Sequence, residues 1–491
     1  MCNSDLNRNY YTDATEVINY IKALKPKKAP GPDLITNSMI RSLPLHVINV
    51  IVKIFNMCLK LNYFPKNWKK SNIVLFPKQG QSPFKAENYR PISLLDTLGK
   101  LFEKVILERL KSYMHLIPDT QMGFMKQRST THQLVKIVEI IASAFKNKQT
   151  AALLLIDFSK AFDRVSHPGL LRKLIELKIP RKIITLIASY LNERKFQIKI
   201  NNTISSTREI NSSVPQGSLL SPTLFLFYVA DFPSWPEDPN THLNQYADDV
   251  ALVSTSKKPN YAISRIKSKI NEIEDWCKKW KVLINARKSK LLVIRKTHPR
   301  QPLITDVNIF NETVTYETKT KYLGIIINNR LSWSDHIDYS ISKANGMYLK
   351  LLPLVGRYSN LDKKNKVQLI NACIKSILTY ASPAWATISN SGIKRLAGSF
   401  NKKLKTALDA PRYMRNINMY KDLNMPSLED FINQANAKFF LKNLSNPALE
   451  RYLNYQIYVE DMDLRPLAKT ACTNAELFDA AWNNQWQDAI S

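Results

Sequence analysis

The sequence predicts an α+β fold, and three observations carry that expectation. Residues 151 to 156 (Ala151-Ala152-Leu153-Leu154-Leu155-Ile156) form a continuous apolar run, the pattern of a strand buried on both faces. Residues 243 to 254 alternate well enough to make two short strands, which places Asp248 and Asp249 at the turn of a hairpin. Helical spacing surrounds both: Leu98, Leu101, Phe102, Val105, Ile106 and Leu110 share one face, and Ile263, Ile266, Ile270, Ile273, Trp276 and Trp280 share another.

In chain order, residues 14 to 24 read as a short helix that stops at Lys25-Pro26. Prolines then forbid helix through Lys27–Asp33, and Gly31 permits a tight bend, so this is a basic surface loop suited to a nucleic-acid backbone. Residues 46 to 62 have helical spacing, and Ile73-Val74-Leu75-Phe76 reads as a strand. Lys78 and Arg90 flank the polar loop that follows; either could hold a phosphate, although a lone cation on a loop is more often only solvated. A helix over 131 to 145 starts from an N-cap region at Ser129-Thr130. Residues 170 to 191 read as a helix broken at Pro180, and 196 to 211 as a hairpin. Pro215-Gln216-Gly217 turns the chain into a helix over 222 to 230, where Gly217 would let a ligand approach the backbone and an exposed helix start would favour anions. Residues 322 to 329 read as a strand entering a tight turn, and 340 to 421 as helices. Tyr380, Trp385, Tyr413 and Tyr420 interleave aromatic rings there, which can stack on bases but more often fill a helical core.

Composition narrows the partner. The 491 residues carry 71 Lys and Arg against 40 Asp and Glu, a formal charge of +31 that favours a polyanion. A membrane surface is the competing polyanion, but no apolar run of about 18 residues could span a bilayer. Met1–Asp5 lacks the apolar core of a secretory signal, and the five cysteines form no CxxC pair, so the chain reads as reduced and intracellular. The basic charge concentrates in 257–296 (net +10) and 340–421 (net +13), while 441–491 is acidic, with 4 basic and 7 acidic residues.

Carboxylates supply the chemistry. Asp157 ends the apolar strand abruptly, where an unpaired carboxylate is costly. A helix N-cap is the bland explanation, and Asp163 fits it better than Asp157. Asp248-Asp249 is either a solvated hairpin tip or half of a divalent-metal site. If strand and hairpin lie side by side in one sheet, all three carboxylates converge at one edge. Two Mg²⁺ ions about 4 Å apart could be held there for in-line phosphoryl displacement. The flanking cations Lys78, Arg90 and Lys288 would then grip a triphosphate.

Seven motifs in order, KAPGPD (28–33), NYRPIS (88–93), GFMKQRST (123–130), IDFSKAFD (156–163), VPQGSLLSP (214–222), YADD (246–249) and KYLG (321–324), resemble the reverse transcriptase of non-LTR retrotransposons. APRYMRN (410–416) and DLNMPSL (422–428) resemble the jockey-like group in particular. The resemblance implies a right-hand polymerase fold: fingers over 1–150, a palm with fingers insertions over 151–335, a helical basic thumb over 336–440 and an acidic tail over 441–491. It implies Asp157, Asp248 and Asp249 as catalytic carboxylates, with Asp157 and Asp248 the main metal ligands, helped by the Phe158 carbonyl. It puts Phe162 at the position that rejects a ribose 2′-hydroxyl, and Gln216 and Gly217 beside the nascent base pair. Lys78 and Arg90 would contact the triphosphate, Lys288 would protonate the leaving pyrophosphate, and Tyr322–Ile327 would position the primer end.

The implied cofactor is a pair of Mg²⁺ ions, replaceable by Mn²⁺. The implied partners are an RNA template, a DNA primer or target, and deoxynucleoside triphosphates, within a ribonucleoprotein of the nucleus or cytoplasm. Met125 stands where the family usually has Arg, a departure that by the resemblance would remove one template contact. The chain starts almost at the fingers and carries no nuclease of its own, so it resembles a separated or truncated polymerase portion that needs an endonuclease supplied separately. The rival readings are a catalytically dead nucleic-acid-binding fragment and a metal-dependent nuclease, which the scattered histidines do not support.

Overall fold

The computed structural model describes residues 10–78, 82–201, 203–296, 306–411, 413–443, 446 and 449; the acidic tail expected over 441–491 otherwise lies outside the described residues. The strands that position the site are β1 (Lys70–Pro77), β2 (Tyr89–Leu94), β3 (Thr150–Asp157), β4 (Arg194–Ile200) and β5 (Thr241–Tyr246). They continue with β6 (Asp249–Ser256), β7 (Lys290–Ile294), β8 (Thr315–Glu317), β9 (Lys319–Tyr322) and β10 (Ile325–Asn328). The principal helices before the last two strands are α1 (Leu45–Leu61), α2 (Thr97–Lys111), α3 (Thr130–Lys146), α4 (His167–Glu176), α5 (Arg181–Leu191), α6 (Ser221–Tyr228) and α7 (Pro259–Trp280). Beyond β10 the chain is helical, through α8 (Ser334–Val355), α9 (Asn390–Leu408) and α10 (Leu428–Lys442). The α+β expectation holds.

The central sheet has the order β8-β7-β3-β6-β5, antiparallel except for the β7–β8 pair. Period-two alternation explains why β3 reads as unbroken apolar sequence: the sheet is covered on both sides. Ala152, Leu154 and Ile156 join Ile263, Ile266 and Ile270 of α7 in one core. Ala151 and Leu153 join Leu134, Ile137 and Ile141 of α3 in the other. Leu154 is fully buried. Truncating it to Ala is expected to cost about 3 kcal/mol in urea unfolding, through lost transfer energy and a cavity; a cost below about 1 kcal/mol would contradict this packing.

A second sheet places β1 between β2 (antiparallel) and β4 (parallel), so residues around 200 return to a sheet begun near residue 70. The break expected at Pro180 is present: α4 ends at Glu176, and Pro180 caps α5. Residues 319–328 form a complete hairpin whose turn is Leu323-Gly324, both at positive φ, rather than a strand turning at 328–329. Trp385 and Tyr420 fill the core of the C-terminal helical region and are buried there, whereas Tyr413 is exposed. The Tyr380 hydroxyl donates to Leu323 O at 2.9 Å and can accept from the Thr130 hydroxyl, also at 2.9 Å.

Candidate active site

The adjacency on which the site depends is present. β3 runs antiparallel to β6 in a register that puts Asp157 opposite Asp249. Directly opposed residues of such a pair have Cα atoms about 5 Å apart and side chains on one face. Tyr246 also pairs with Asp249, so the hairpin turn is Ala247-Asp248 and not Asp248-Asp249 as expected. A two-residue loop of this kind needs positive φ, and Ala247 adopts it at +55°. Asp248 therefore leaves the turn itself, while Asp249 opens the strand.

Asp157 is set in place through its backbone. Its N–H donates to Ser289 Oγ at 3.2 Å, and its carbonyl accepts from Asn285 N at 2.8 Å. Phe158 bridges Ile284 across the same gap through bonds made by its neighbours, which leaves the Phe158 carbonyl outside the bridge. The Phe158 ring packs against Phe232 in the core, 5.9 Å between centroids. Asp157 is not a helix N-cap, and neither is Asp163: Ser166 caps α4, and Asp163 accepts from Gln216 Nε2 at 3.0 Å.

Charge is arranged around the carboxylates as the sequence suggested. Burial pushes Asp157 above the ordinary carboxylate range, opposed by Lys288 and Lys78. Burial also raises Asp248, with Asp157 adding to the effect and Arg90 opposing it. Asp249 is exposed at the start of β6; desolvation, then Asp248, then Asp157 push it up to about 6. An unfolded aspartate titrates near ~3.9, so protonation favours the folded chain. The metal-free protein should lose stability through this group as pH rises through about 6. Asp249→Asn should then match the wild type in Tm near pH 4 and exceed it at pH 7.5; equal melting at both values would contradict the assignment.

Of the remaining predicted residues, Arg90 lies in β2 and Phe162 in a 3-10 turn (Ala161–Arg164), whereas Lys78, Lys288, Gln216 and Gly217 lie on connecting segments. Lys78 Nζ donates to Glu87 O at 2.9 Å, and Arg90 sits across β1–β2 from Phe76. Lys288 N is held by Asn285 Oδ1 at 3.2 Å. Phe162 stacks on Phe225 (4.6 Å, 20°) and meets Phe124 edge-on at 6.2 Å, so its ring is braced on two sides. The Gln216 carbonyl accepts from Ser93 N at 2.7 Å, joining this loop to β2. Gly217 is at φ +121°, and a Cβ there would lie 2.6 Å from Ser93 O. A Cβ at Gly217 would therefore meet β2, while the residue itself is exposed. The start of α6 is buried and offers no open anion site, which corrects the second expectation for this turn.

Ser289 and Glu103 were not anticipated as site residues. Ser289 carries no local signal. Glu103 does: it shares the apolar face of α2 with Phe102, Ile106 and Leu110, where a carboxylate needs partners. It accepts from Ser218 Oγ (3.0 Å) and Leu219 N (2.8 Å), immediately after Gly217.

Comparison with known proteins agrees with this geometry. Residues 76–327 match the model of the family described as reverse transcriptase (RNA-dependent DNA polymerase). The chain belongs to the reverse transcriptase family. Its architecture is α+β, with mostly antiparallel sheets. A probable RNA-directed DNA polymerase from transposon BS of Drosophila melanogaster is 31% identical over 437 residues, 86% of this chain and 48% of that protein. The RNA-directed DNA polymerase from the mobile element jockey of the same species is 33% identical over 434 residues, 86% and 47% respectively. The chain spans about half the length of the curated relatives it matches. Among solved structures, the telomerase of Candida albicans with a telomeric RNA fragment aligns over 78% of this chain and 69% of its own, at 12% identity and a TM-score of 0.39. No helix among the described residues is long and apolar enough to cross a membrane.

Proposed function

We propose that this chain is the polymerase portion of a jockey-like non-LTR retrotransposon protein, extending a DNA primer with deoxynucleotides on an RNA template. The observation that carries the proposal is the β3–β6 register, which puts Asp157 against Asp249 beside Asp248 with Lys78, Arg90 and Lys288 within electrostatic reach. Support for a nucleic-acid partner, a polyanion, comes from the +31 charge of the chain.

The residues fit a divalent-metal site. Three carboxylates held above their ordinary titration range by burial, with neighbouring carboxylates adding to the rise at Asp248 and Asp249, ask for a cation. Among the described residues no three such groups close into a ready-made cage. That arrangement suits Mg²⁺, which keeps few protein carboxylates and completes its shell with substrate phosphates and water. Asp157 and Asp248 would be the main ligands of two ions, with Asp249 and the Phe158 carbonyl beside them; Mn²⁺ is the expected substitute. When bound, such ions stabilise the charge that develops on the attacking and leaving oxygens.

The chain's own residues supply position. Lys78 and Arg90 hold the triphosphate, Lys288 gives a proton to pyrophosphate, and Gln216 and Gly217 border the new base pair. Phe162 excludes the 2′-hydroxyl, and Tyr322–Ile327 seats the primer end. Fingers (1–150), palm (151–335), thumb (336–440) and tail (441–491) are the corresponding divisions; pairing of β4 with β1 supports fingers segments inserted within the palm range. A separate endonuclease activity and a ribonucleoprotein setting in the nucleus or cytoplasm belong to the same reading. The test is incorporation of deoxynucleotide onto a DNA primer annealed to RNA, by purified protein with Mg²⁺.

A further inference from the structure

Ala247 holds a left-handed conformation that residues with a side chain seldom adopt, at the turn that presents Asp248. The neighbour that makes this possible is the segment Thr120–Gly123. Gln121 forms a parallel bridge with Gln245, through bonds of 2.8 Å from Gln245 N to Thr120 O and from Met122 N to Gln245 O. It thereby extends the central sheet beyond β5.

The Gln121 side chain then does what a further strand cannot. It is 1% exposed. Its Oε1 accepts from Gly123 N and from Ala247 N, both at 2.8 Å, while its Nε2 donates to Ala247 O at 3.3 Å. One carboxamide thus satisfies both backbone groups of the strained residue. Gly123 is what lets the segment come this close: a Cβ there would lie 2.2 Å from Ala247 N. The other end is anchored by Arg128, which donates to Gln121 O and to Asp119 Oδ1, each at 2.7 Å.

We propose that Gln121 is a positioning residue for the catalytic carboxylates, a carboxamide clamp that fixes the Ala247-Asp248 turn in register with Asp157. The proposal rests on the polymerase reading above. Loosening the clamp would let Asp248 swing while leaving β3, the basic loops and the nucleic-acid surface in place. A residue that merely fills the core would instead lower overall stability with no particular effect at the turn.

The decisive variant is Gln121→Met, which keeps length and bulk but offers neither acceptor nor donor of comparable strength; Gln121→Ala serves if the thioether is not accommodated. Amide hydrogen exchange of the metal-free protein is expected to speed up at least tenfold in peptides covering 244–250 and to stay unchanged in peptides covering 150–157. Primer extension should lose at least tenfold in kcat and need more Mg²⁺ for half-maximal rate, with primer–template affinity within threefold of the wild type. Gln121→Glu keeps the two acceptor bonds and should fall between the two proteins in both readouts. Native exchange at 244–250 with kcat within twofold would overturn the clamp. So would faster exchange spread evenly over the central sheet with native kcat. Absence of incorporation by the wild type would instead sink the polymerase reading, since exchange is measured without metal or nucleotide.

Discussion

Asp248→Asn is expected to reduce Mg²⁺-dependent primer extension by roughly three orders of magnitude or more. Metal stabilisation of developing charge is worth several kcal/mol, and each ~1.4 kcal/mol is tenfold in rate. The side chain sits in a turn and is half-buried, its pKa raised by desolvation and by Asp157, so neutralising it removes repulsion as well as the metal ligand proposed above. The variant should therefore melt no lower than the wild type and still bind primer–template. Loss of activity alongside intact folding is the signature. Full Mg²⁺-dependent extension by Asp248→Asn would show that the hairpin has been assigned the wrong role.

The second large effect is on sugar selection. Phe162→Ala should admit ribonucleotides, raising kcat/KM for UTP relative to dTTP by roughly 10- to 100-fold, the scale on which a pocket discriminates by shape alone. The structure gives a reason to expect the effect to be sharp. The Phe162 ring is stacked on Phe225 and braced edge-on by Phe124, so it cannot easily turn aside from an added hydroxyl. Unchanged discrimination would sink the role proposed for Phe162.

The parts of the fold that were legible in the sequence are those where burial imposes a period. β3, apolar at every residue from 151 to 156, is covered on both faces, and α7 places its isoleucines and tryptophans against it. The carboxylates were legible because they interrupt such runs: Asp157 ends one, and Asp248 and Asp249 sit inside another. What failed locally were the turns. The 246–249 hairpin turns one residue earlier than expected because the two-residue loop spends Ala247, not Asp249, on the left-handed position. Residues 322–329, expected as one strand entering a turn, hold a hairpin tip near their start, since Leu323 and Gly324 take positive φ together.

Contacts made across long sequence separation were illegible for a different reason. Nothing near Ser289 says that its hydroxyl will receive the Asp157 N–H from 132 residues away. Gln121 reads as an ordinary polar residue before a glycine until Ala247, 126 residues on, is seen beneath it. Gly217 was expected to let a ligand approach, and a second need for glycine there, the Ser93 carbonyl packed against it, leaves no mark in the sequence. Helix α6 looked like an exposed anion site only because its burial by the surrounding core leaves no mark on eight apolar-rich residues. Glu103 is the exception that periodicity could have caught, since it lies on the apolar face of α2.

One assay tests the central claim most directly: primer extension by the purified chain on poly(A) RNA with an oligo(dT) primer, run with and without Mg²⁺ and dTTP, beside Asp157→Asn. The account predicts primer lengthening that requires both metal and dTTP in the wild type and is lost in the variant. Bound but unextended primer in the wild type, or extension by Asp157→Asn at the wild-type rate, would contradict it.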